Sequence, residues 1–332
     1  MAAQKSTIND VAREAGVSIA TVSRFLNNPS SIKEENRKKV EKTVKKLKYS
    51  PLLYARKLAG GKSGVYGLII PGYEGVFYSF YAMEIIRGIG FVLESLNIDL
   101  YLHIFRNKDK FNSSLVDGVI FADIIGNDNQ LKRVIKEKIP CVVINKIVDE
   151  LEVSSVTIDN FKGGYLATEF LINHGHKNIV HIAGDLEVQC ARERLEGYKS
   201  ALIKNNIKIK DSYIKTANFS RLKVKKCMEE CFSGKNNFTA VFAASDEMAA
   251  EVITFAQDKG LEVPQQISVV GFDDNPFCNR YNNIGITTVR QPLQQMASSA
   301  VNILKKLIEK KKEIKKIIFP PELVIRDSVV SR

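Results

Sequence analysis

From residue 65 to the end of the chain, short apolar runs rich in Val and Ile alternate with amphipathic stretches of helical periodicity. The runs include VYGLII, IDLYLHI, DGVIFA and CVVIN, followed by NIVHIAG, TAVFAA and ISVVGF. Helical stretches separate most of them, at 82–96, 191–205 and 246–259. Apolar strands that alternate with helices form parallel sheets covered on both faces. Two such sets predict two doubly wound α/β lobes, which bind ligands outside the carboxyl ends of their strands.

The first 48 residues follow another pattern. Thr7 precedes an apolar stripe of helical spacing, and Asp10 stands three positions later, which is the spacing of a capping box. Gly16 breaks this helix and Ser18 caps a second one, which extends to Leu26. A third helix is predicted over the stretch KEENRKKVEKTVKKLKY. Two short helices joined by a turn that contains Gly predict a helix-turn-helix.

The charge of the chain is concentrated in this N-terminal part. Residues 1–62 contain 14 Lys or Arg and 5 Asp or Glu, whereas the other 270 residues carry only +3 of the formal charge of +12. A basic segment attached to a nearly neutral body predicts a polyanion as the partner of the segment alone.

The remaining composition indicates a cytoplasmic protein. No run of about 18 apolar residues is present to span a membrane. The start of the chain, MAAQKSTINDV, lacks the apolar region of a secretory signal. Five cysteines without the spacing of a disulfide framework fit a reduced compartment.

The stretch TINDVAREAGVSIATVSRFLN resembles, nearly position for position, the DNA-binding headpiece of the LacI/GalR family of bacterial repressors. The resemblance implies that the second helix enters the major groove, where Ile19 and Ala20 meet bases. Arg24 would present two donors to a guanine, a contact worth about 1–3 kcal/mol of discrimination. Short polar side chains suited to phosphate oxygens complete the predicted interface: Thr7, Ser18, Thr21, Ser23 and Asn27.

The stretch SPLLYARKLAGG resembles the hinge helix of the same family, which folds on operator DNA and pairs with its dimer mate in the minor groove. The family motif Ala-Arg-x-Leu is matched by Ala55, Arg56 and Leu58, and the resemblance implies that Leu58 wedges between the central base pairs. The family usually has Asn after the proline, where this chain has Leu52. Capping of the hinge helix therefore falls to Ser50.

Most of residues 64–330 also resembles the family core, which has the fold of periplasmic sugar-binding proteins. The matching stretches include IDNFKGGYLATEFL, ARERLEGY, VFAASDEMA, ISVVGFDD and PPELVIRDS. The resemblance implies that the chain crosses between the lobes near residues 160, 290 and 320. It also implies an effector site in the cleft, formed by Arg194, Phe219, Ser245, Asp273, Gln291 and one aromatic residue, Phe80 or Tyr81. Carboxylates, a guanidinium and aromatic rings are the groups that bind sugars.

These observations predict a homodimeric transcriptional regulator that binds palindromic operator DNA, a repressor of carbohydrate genes controlled by a small sugar-like effector. The predicted parts are a headpiece (1–48), a hinge helix and linker (49–63) and a core (64–332). The first lobe takes about 64–160 and 292–318, and the second about 161–290 and 320–332. A purine corepressor or a phosphoprotein partner is an alternative to the sugar, and a solute-binding protein of a transporter is a rival without a DNA role. No catalytic residue, metal site or cofactor is predicted.

One part of the first lobe is predicted to depart from the family. Only 12 residues, FRNKDKFNSSLV, separate the strand that ends near Ile104 from the strand that starts near Asp117. A parallel crossover needs at least about 10–12 residues with its helix included, so at most one or two helical turns fit. We therefore expect a mostly irregular loop at 105–116. We also expect the dimer interface to rely more on neighbouring segments such as 82–96.

Overall fold

The computed structural model describes residues 6–27, 29–47, 49, 62–72, 76–106, 111–233, 237–310 and 313–332. Its N-terminal part forms three helices: α1 (Ile8–Ala15), α2 (Ile19–Asn27) and α3 (Glu34–Lys46). The predicted capping box of Thr7 and Asp10 opens α1, and Gly16 ends it with a φ of 65°. Glycine adopts this left-handed backbone conformation without strain, and this allows the tight turn from α1 into α2.

A small apolar core holds the three helices together. One valine from each of them, Val11, Val22 and Val40, is fully buried, and Ala12 and Ala15 complete the cluster. The predicted helix-turn-helix is therefore confirmed. The predicted hinge helix, with Ala55 and Leu58, lies outside the described residues.

The first six-stranded sheet is entirely parallel, with the strand order β11-β5-β4-β3-β1-β2. Its strands are β1 (Val65–Pro71), β2 (Asp99–Phe105), β3 (Gly118–Phe121), β4 (Cys141–Ile144), β5 (Ser154–Ile158) and β11 (Lys316–Phe319). Helices α4 (Phe80–Leu96) and α10 (Leu293–Ile308) cover one face, and α5 (Asp128–Lys136) lies on the other. We call this sheet and its helices the first lobe.

The second six-stranded sheet has the order β12-β10-β9-β8-β6-β7 and is parallel except for β12, which runs antiparallel to β10. Its strands are β6 (Ile179–Ala183), β7 (Ile214–Thr216), β8 (Ala240–Ala243), β9 (Ser268–Asp273), β10 (Thr287–Arg290) and β12 (Glu322–Val324). Helices α6 (Asn160–Asn173) and α7 (Gln189–Lys204) cover one face, and α8 (Arg221–Ser233) and α9 (Asp246–Asp258) cover the other. This is the second lobe.

The chain passes between the lobes three times: between β5 and α6, between β10 and α10, and between β11 and β12. The two doubly wound α/β lobes predicted from the sequence are confirmed. No helix in the described part of the chain is both long enough and apolar enough to cross a bilayer. The five cysteine side chains are buried and not in disulfide bonds.

The prediction of a mostly irregular loop at 105–116 is confirmed for residues 106 and 111–116 of the crossover from β2 to β3, whereas Phe105 still belongs to β2. Strand β2 continues to Phe105, and the described residues 111–116 contain a single 3₁₀ turn at Ser113–Leu115. Phe111 fills the space where a crossover helix would lie, because it is 2% exposed and its ring stacks 5.4 Å from that of Tyr101. A Cβ atom on Gly67 would lie 2.7 Å from the Phe111 ring, so β1 needs glycine at this position.

Candidate functional sites

Helix α2 presents an exposed surface of small and basic side chains. Ile19 is 51% exposed, and Ala20 and Arg24 are also exposed. Ser18 caps the helix by accepting from the Thr21 N–H (3.2 Å), and the two hydroxyls lie 2.9 Å apart. The cap fixes both hydroxyls on the same side of the helix start. The helix therefore offers apolar contacts, hydroxyls and one guanidinium together, with no acid among its residues.

The other predicted DNA-binding residues are placed as follows. Ser23 is half-buried on α2. The Thr7 hydroxyl donates to the Asp10 carboxylate (2.7 Å), so its oxygen is already committed to the capping box. Asn27 ends α2, but its side chain lies outside the described set, as do Ala55 and Leu58.

The headpiece keeps a surplus of positive charge after its ion pairs are counted. Each of its five acidic side chains pairs with a basic neighbour: Asp10–Arg13, Glu14–Lys46, Glu34–Lys38, Glu35–Lys39 and Glu41–Lys45. Within the described residues, Arg24, Lys33, Arg37 and Lys42 form no ion pair. These four cations are available to a polyanion.

A second candidate site lies between the lobes, and Arg194 is at its centre. This arginine is 3% exposed on α7, and three elements of the second lobe hold its guanidinium group. Nε donates to Oδ1 of Asn160 (3.0 Å) and Nη1 donates to the Ala244 carbonyl (2.6 Å). The Phe272 ring lies 3.6 Å from the guanidinium carbon. Nη2 makes no hydrogen bond to the described residues.

Asp273 and Gln291 form a pair beside Arg194. The Gln291 amide Nε2 donates to Oδ1 of Asp273 (2.5 Å), and both residues are more than 90% buried. Burial raises the pKa of Asp273 to about 7, although Arg194 and Gln291 act in the opposite direction. The backbone of Asp273 has a φ of 123°, a conformation that is uncommon for residues other than glycine. Backbone strain of this kind is concentrated at functional sites.

The second lobe has a further buried carboxyl group, that of Asp246, close enough to Asp273 for their charges to interact. It is fully buried, accepts from the Thr288 hydroxyl (2.5 Å) and the Asn275 N–H (2.7 Å), and thereby supports the turn after β9. Burial, together with the charge of Asp273, raises the pKa of Asp246 to about 8. The preceding residue, Ser245, caps α9 by accepting from the Met248 N–H (3.3 Å).

The first lobe contributes Asp123, two residues after the end of β3, and Asn145, the residue directly after β4. Asn145 Nδ2 donates to Oδ2 of Asp123 (2.7 Å), and the Ile124 N–H donates to Oδ1 (2.6 Å). Burial raises the pKa of Asp123 to about 6, partly offset by these two hydrogen bonds. Arg194 of the second lobe also acts on this carboxyl group, which places the groups of the two lobes within electrostatic range.

The buried thiol of Cys190 shows how closely the groups converge. Burial raises its pKa to about 11, and three charged groups and one side-chain hydrogen bond from the two lobes modify it further. Asp123 and Asn145 act on it from the first lobe, and Arg194 and Asp273 act on it from the second. Carboxyl groups, amides and one guanidinium from both lobes therefore lie close enough to Cys190 to act on its thiol.

The aromatic residues predicted for the effector site lie at the edges of the cleft. The Tyr81 hydroxyl donates to the Ala122 carbonyl, directly before Asp123, and Phe80 packs against the core of the first lobe. The ring of Phe219 lies over Gly184 at the carboxyl end of β6, where a Cβ atom would collide with it.

Two hydrogen bonds join the lobes beside the cleft, and in both a side chain of the second lobe accepts from the backbone of the first. The Phe80 N–H donates to Oε1 of Glu247 (3.3 Å). The Ile147 N–H donates to Oε1 of Gln189 (3.2 Å). The lobes are thus in contact around the site.

Sequence reasoning missed Asp123, Asn145, Asn160 and Asp246. A signal for three of them is present in the sequence, because each is a polar residue within two positions of the carboxyl end of a buried strand of the first lobe. Asp246 comes three positions after the end of β8, directly after Ser245. Within the described residues, no group of three or more His, Cys, Asp or Glu side chains is placed to hold a metal ion.

Comparisons with known proteins find relatives of both the N-terminal part and the two-lobed core. Residues 7–51 match the family model of bacterial regulatory proteins of the lacI family, and residues 168–329 match that of the periplasmic binding protein-like domain. The chain is 34% identical to catabolite control protein A of Priestia megaterium, over 92% of this chain and 93% of that protein. It is also 34% identical to the probable HTH-type transcriptional repressor ExuR of Bacillus subtilis (strain 168), over 97% and 98%. Among solved structures, the transcriptional regulator CelR–cellobiose complex matches with a TM-score of 0.76 at 26% identity, over 97% of this chain and 99% of that one.

Proposed function

The chain belongs to the LacI family of bacterial regulatory proteins, and on that premise we propose that it is a dimeric, cytoplasmic repressor of carbohydrate genes, controlled by a sugar bound between its lobes. Membership of the family makes it a DNA-binding transcriptional regulator and not an enzyme. The division proposed is a headpiece (1–48), a hinge and linker (49–63) and a two-lobed core (64–332).

The exposed surface of α2 is the observation that carries the DNA role. Helix α2 places Ile19, Ala20 and Arg24 on the outside of a three-helix unit in which four cations of the described residues form no ion pair. We assign Ile19 and Ala20 to thymine methyl groups and Arg24 to guanine, because these side chains suit those base edges. Ser18, Thr21, Ser23 and Asn27 are assigned to phosphates, and Thr7 could join them only by giving up its hydrogen bond to Asp10. Ala55 and Leu58 are assigned to the minor groove.

The effector site is assigned to the cleft between the lobes. Arg194, Asp273 and Gln291 converge there with Asp123 and Asn145, so a ligand in the cleft is held by both lobes. Ser245, Phe80, Tyr81 and Phe219 are proposed to border it. The CelR–cellobiose complex supports a carbohydrate, because it shares 26% identity over nearly the whole chain.

A ligand in this cleft changes the balance between closed and open arrangements of the lobes by as much as its affinities for the two differ. The three crossings between the lobes transmit that change to the linker at 49–63. We propose that the relative position of the two linkers in the dimer decides whether both headpieces reach a palindromic operator.

The exposed face of α4 supports a dimer through the first lobe. Phe91 on this helix is 77% exposed and Met83 is 37% exposed, which is unusual for large apolar side chains. Phe91→Glu is expected to give a monomer in sedimentation velocity, whereas Ile203→Glu, at a 64% exposed apolar position on α7, leaves the dimer intact. A dimer in both variants would contradict the assigned interface.

The DNA role is tested by operator binding as a function of salt. A palindromic site is first selected from random duplexes with the full-length protein, and binding is then followed by fluorescence anisotropy. With about 6–10 phosphate contacts, log K is expected to fall with log salt concentration with a slope of about −5 to −9. A slope near zero, or the absence of any selected palindrome, would contradict the proposal.

A further inference from the structure

Helix α7 carries, besides Arg194, a side chain that reaches across to the first lobe. Gln189, the first residue of the helix, accepts a hydrogen bond from the Ile147 N–H through Oε1 (3.2 Å). Ile147 lies two positions after Asn145, and Arg194 lies five positions after Gln189 on the same helix. The bond therefore joins the two segments that bring Arg194 and Asn145 to the cleft.

Glu193 determines which end of the Gln189 amide faces the first lobe. The amide nitrogen Nε2 of Gln189 donates to Oε1 of Glu193 (2.7 Å), one helical turn further along α7. A carboxylate only accepts hydrogen bonds, so the nitrogen has to face it, and the amide oxygen is left to face the Ile147 N–H. Without the carboxylate the amide is free to turn over, and its nitrogen offers the Ile147 N–H no acceptor.

The carboxylate of Glu193 is also connected to the effector site. Burial raises the pKa of Glu193, and hydrogen bonds from Gln189 and Asn160 act in the opposite direction. Asn160 in turn accepts from Nε of Arg194 (3.0 Å). A chain of hydrogen bonds thus runs from the Arg194 guanidinium through Asn160, Glu193 and Gln189 to the backbone of the first lobe.

The second hydrogen bond between the lobes needs no such orientation. Glu247 offers two equivalent carboxylate oxygens to the Phe80 N–H (3.3 Å), so this bond forms whichever oxygen is turned toward the first lobe. Gln189 has a single acceptor oxygen, and its bond to the first lobe depends on a second residue that holds the amide in place.

We propose that Glu193 is a positioning residue that directs the Gln189 amide oxygen at the first lobe, and that this pair holds the lobes of the ligand-free protein in the closed arrangement. The apparent affinity for an effector then includes the fraction of molecules that is already closed. The inference adds a control of the cleft to the proposed function and rests on it, but it does not depend on which effector binds.

The test exchanges the two side chains. In Gln189→Glu two carboxylates face each other one helical turn apart, and like charges at this spacing repel. In Glu193→Gln the amide of residue 189 loses its fixed orientation. The double variant Gln189→Glu/Glu193→Gln restores one amide donor and one carboxylate acceptor, and its carboxylate is at the position that faces the Ile147 N–H.

The separation of the lobes in the ligand-free, full-length protein is measured by double electron–electron resonance. Nitroxides are attached at exposed positions of the two lobes, Lys132→Cys on α5 and Lys208→Cys after α7, while the five native cysteines are buried. An excess of unlabelled protein ensures that the measured pairs lie within one chain. Each single variant is expected to lower the ratio of closed to open molecules about 2- to 10-fold, the range that one hydrogen bond supports. The double variant should restore most of that ratio, because the coupling between the two side chains is regained.

Glu196→Gln is the matched control. It removes an exposed carboxylate of the same helix, which is paired with Lys199 (2.8 Å), and should keep the wild-type distances. Hydrogen exchange of the Ile147 amide, followed by mass spectrometry, should be faster in both single variants and slow again in the double variant. Wild-type distances in both single variants, or a double variant as open as the single ones, would overturn the proposal. Operator binding is measured separately, so a failure of the DNA role is distinguishable from a failure of this inference.

Discussion

The guanidinium carbon of Arg194 lies 3.6 Å from the centre of the Phe272 ring, between strand β9 and helix α7. Together with the hydrogen bonds to Asn160 and Ala244, this stacking fixes the group in one orientation. A flat, delocalised cation suits such a site, whereas the ammonium group of lysine neither stacks in this way nor forms two directed hydrogen bonds on different edges.

Replacing Arg194 by lysine should therefore be as harmful to effector sensing as replacing it by alanine. Both variants are expected to bind operator like the wild type. They are expected to lose the change in operator affinity that the effector sugar causes in the wild type. Anisotropy titrations with and without that sugar measure the effect. Arg192→Lys, on an exposed turn of the same helix, is the control and should respond normally. A normal response of Arg194→Lys would show that a positive charge at this position is enough for effector sensing.

Arg24→Ala tests the assignment on α2. Loss of a guanine contact is expected to weaken operator binding by about 5- to 150-fold per half-site, since such a contact is worth about 1–3 kcal/mol. Binding to a scrambled duplex should change little, because a base contact adds specificity and little else. Lys45→Ala, which removes a cation already paired with Glu41, is the control. An equal loss of affinity for the operator and for the scrambled duplex would show that Arg24 contacts a phosphate and not a base.

The two buried carboxyl groups of the second lobe, those of Asp246 and Asp273, should make the free energy of unfolding depend on pH. Burial raises the pKa of Asp273 to about 7 and that of Asp246 to about 8, from an ordinary value of 3.8. The folded state therefore binds more protons than the unfolded state above pH 4, and stability falls as pH rises from about 4 to about 8. The slope for one group reaches at most about 1.4 kcal/mol per pH unit.

Urea unfolding of the ligand-free protein between pH 5 and pH 8 measures this dependence. Asp246→Asn should be visibly less sensitive to pH than the wild type, because the group that gains a proton on folding is gone. Asp258→Asn, at the exposed end of the same helix, should keep the full dependence. Identical pH profiles for the wild type and Asp246→Asn would show that Asp246 does not hold the proton.

The buried ring of Phe111 should contribute strongly to the free energy of unfolding of the first lobe. Its ring replaces a crossover helix against Gly67, Tyr101 and Val116, so Phe111→Ala leaves a cavity that the short loop has no side chain to fill. A loss of about 3–5 kcal/mol in the free energy of unfolding is expected. Phe77→Ala, at a position 56% exposed, should change it by less than about 0.5 kcal/mol. A loss below about 1 kcal/mol for Phe111→Ala would mean that the loop tolerates the cavity.

Local signals in the sequence were enough for the headpiece and for most elements of the core. Thr7, Gly16 and Ser18 mark helix ends through their own backbone neighbours, so the boundaries of α1 and α2 are predictable without tertiary contacts. Buried strands such as β3 and β8 are equally visible, because both faces are covered and the run is uniformly apolar.

The cleft was harder to predict, because its contacts join residues far apart in the chain. Asn145 is a single polar residue after an apolar run. Only its interactions with Asp123 and Cys190 in the folded protein show that it belongs to the site. The family pattern identified Arg194 and Asp273, but not the carboxylate beneath them, Asp246. No local pattern indicates that Phe111 would take the place of a helix.

The last strand of each sheet, β11 in one and β12 in the other, is supplied by residues after 315. The final residue is fixed as well, since the Arg332 N–H donates to the His174 carbonyl (2.9 Å). During synthesis β11 and β12 emerge after all the other strands of their sheets, so both sheets lack a strand until residues 316–324 have left the ribosome. The headpiece has its whole apolar core within residues 8–49 and is able to fold as soon as it emerges. A newly made chain thus completes its headpiece before either lobe, and a chain cut short near residue 315 would keep the headpiece without β11 and β12.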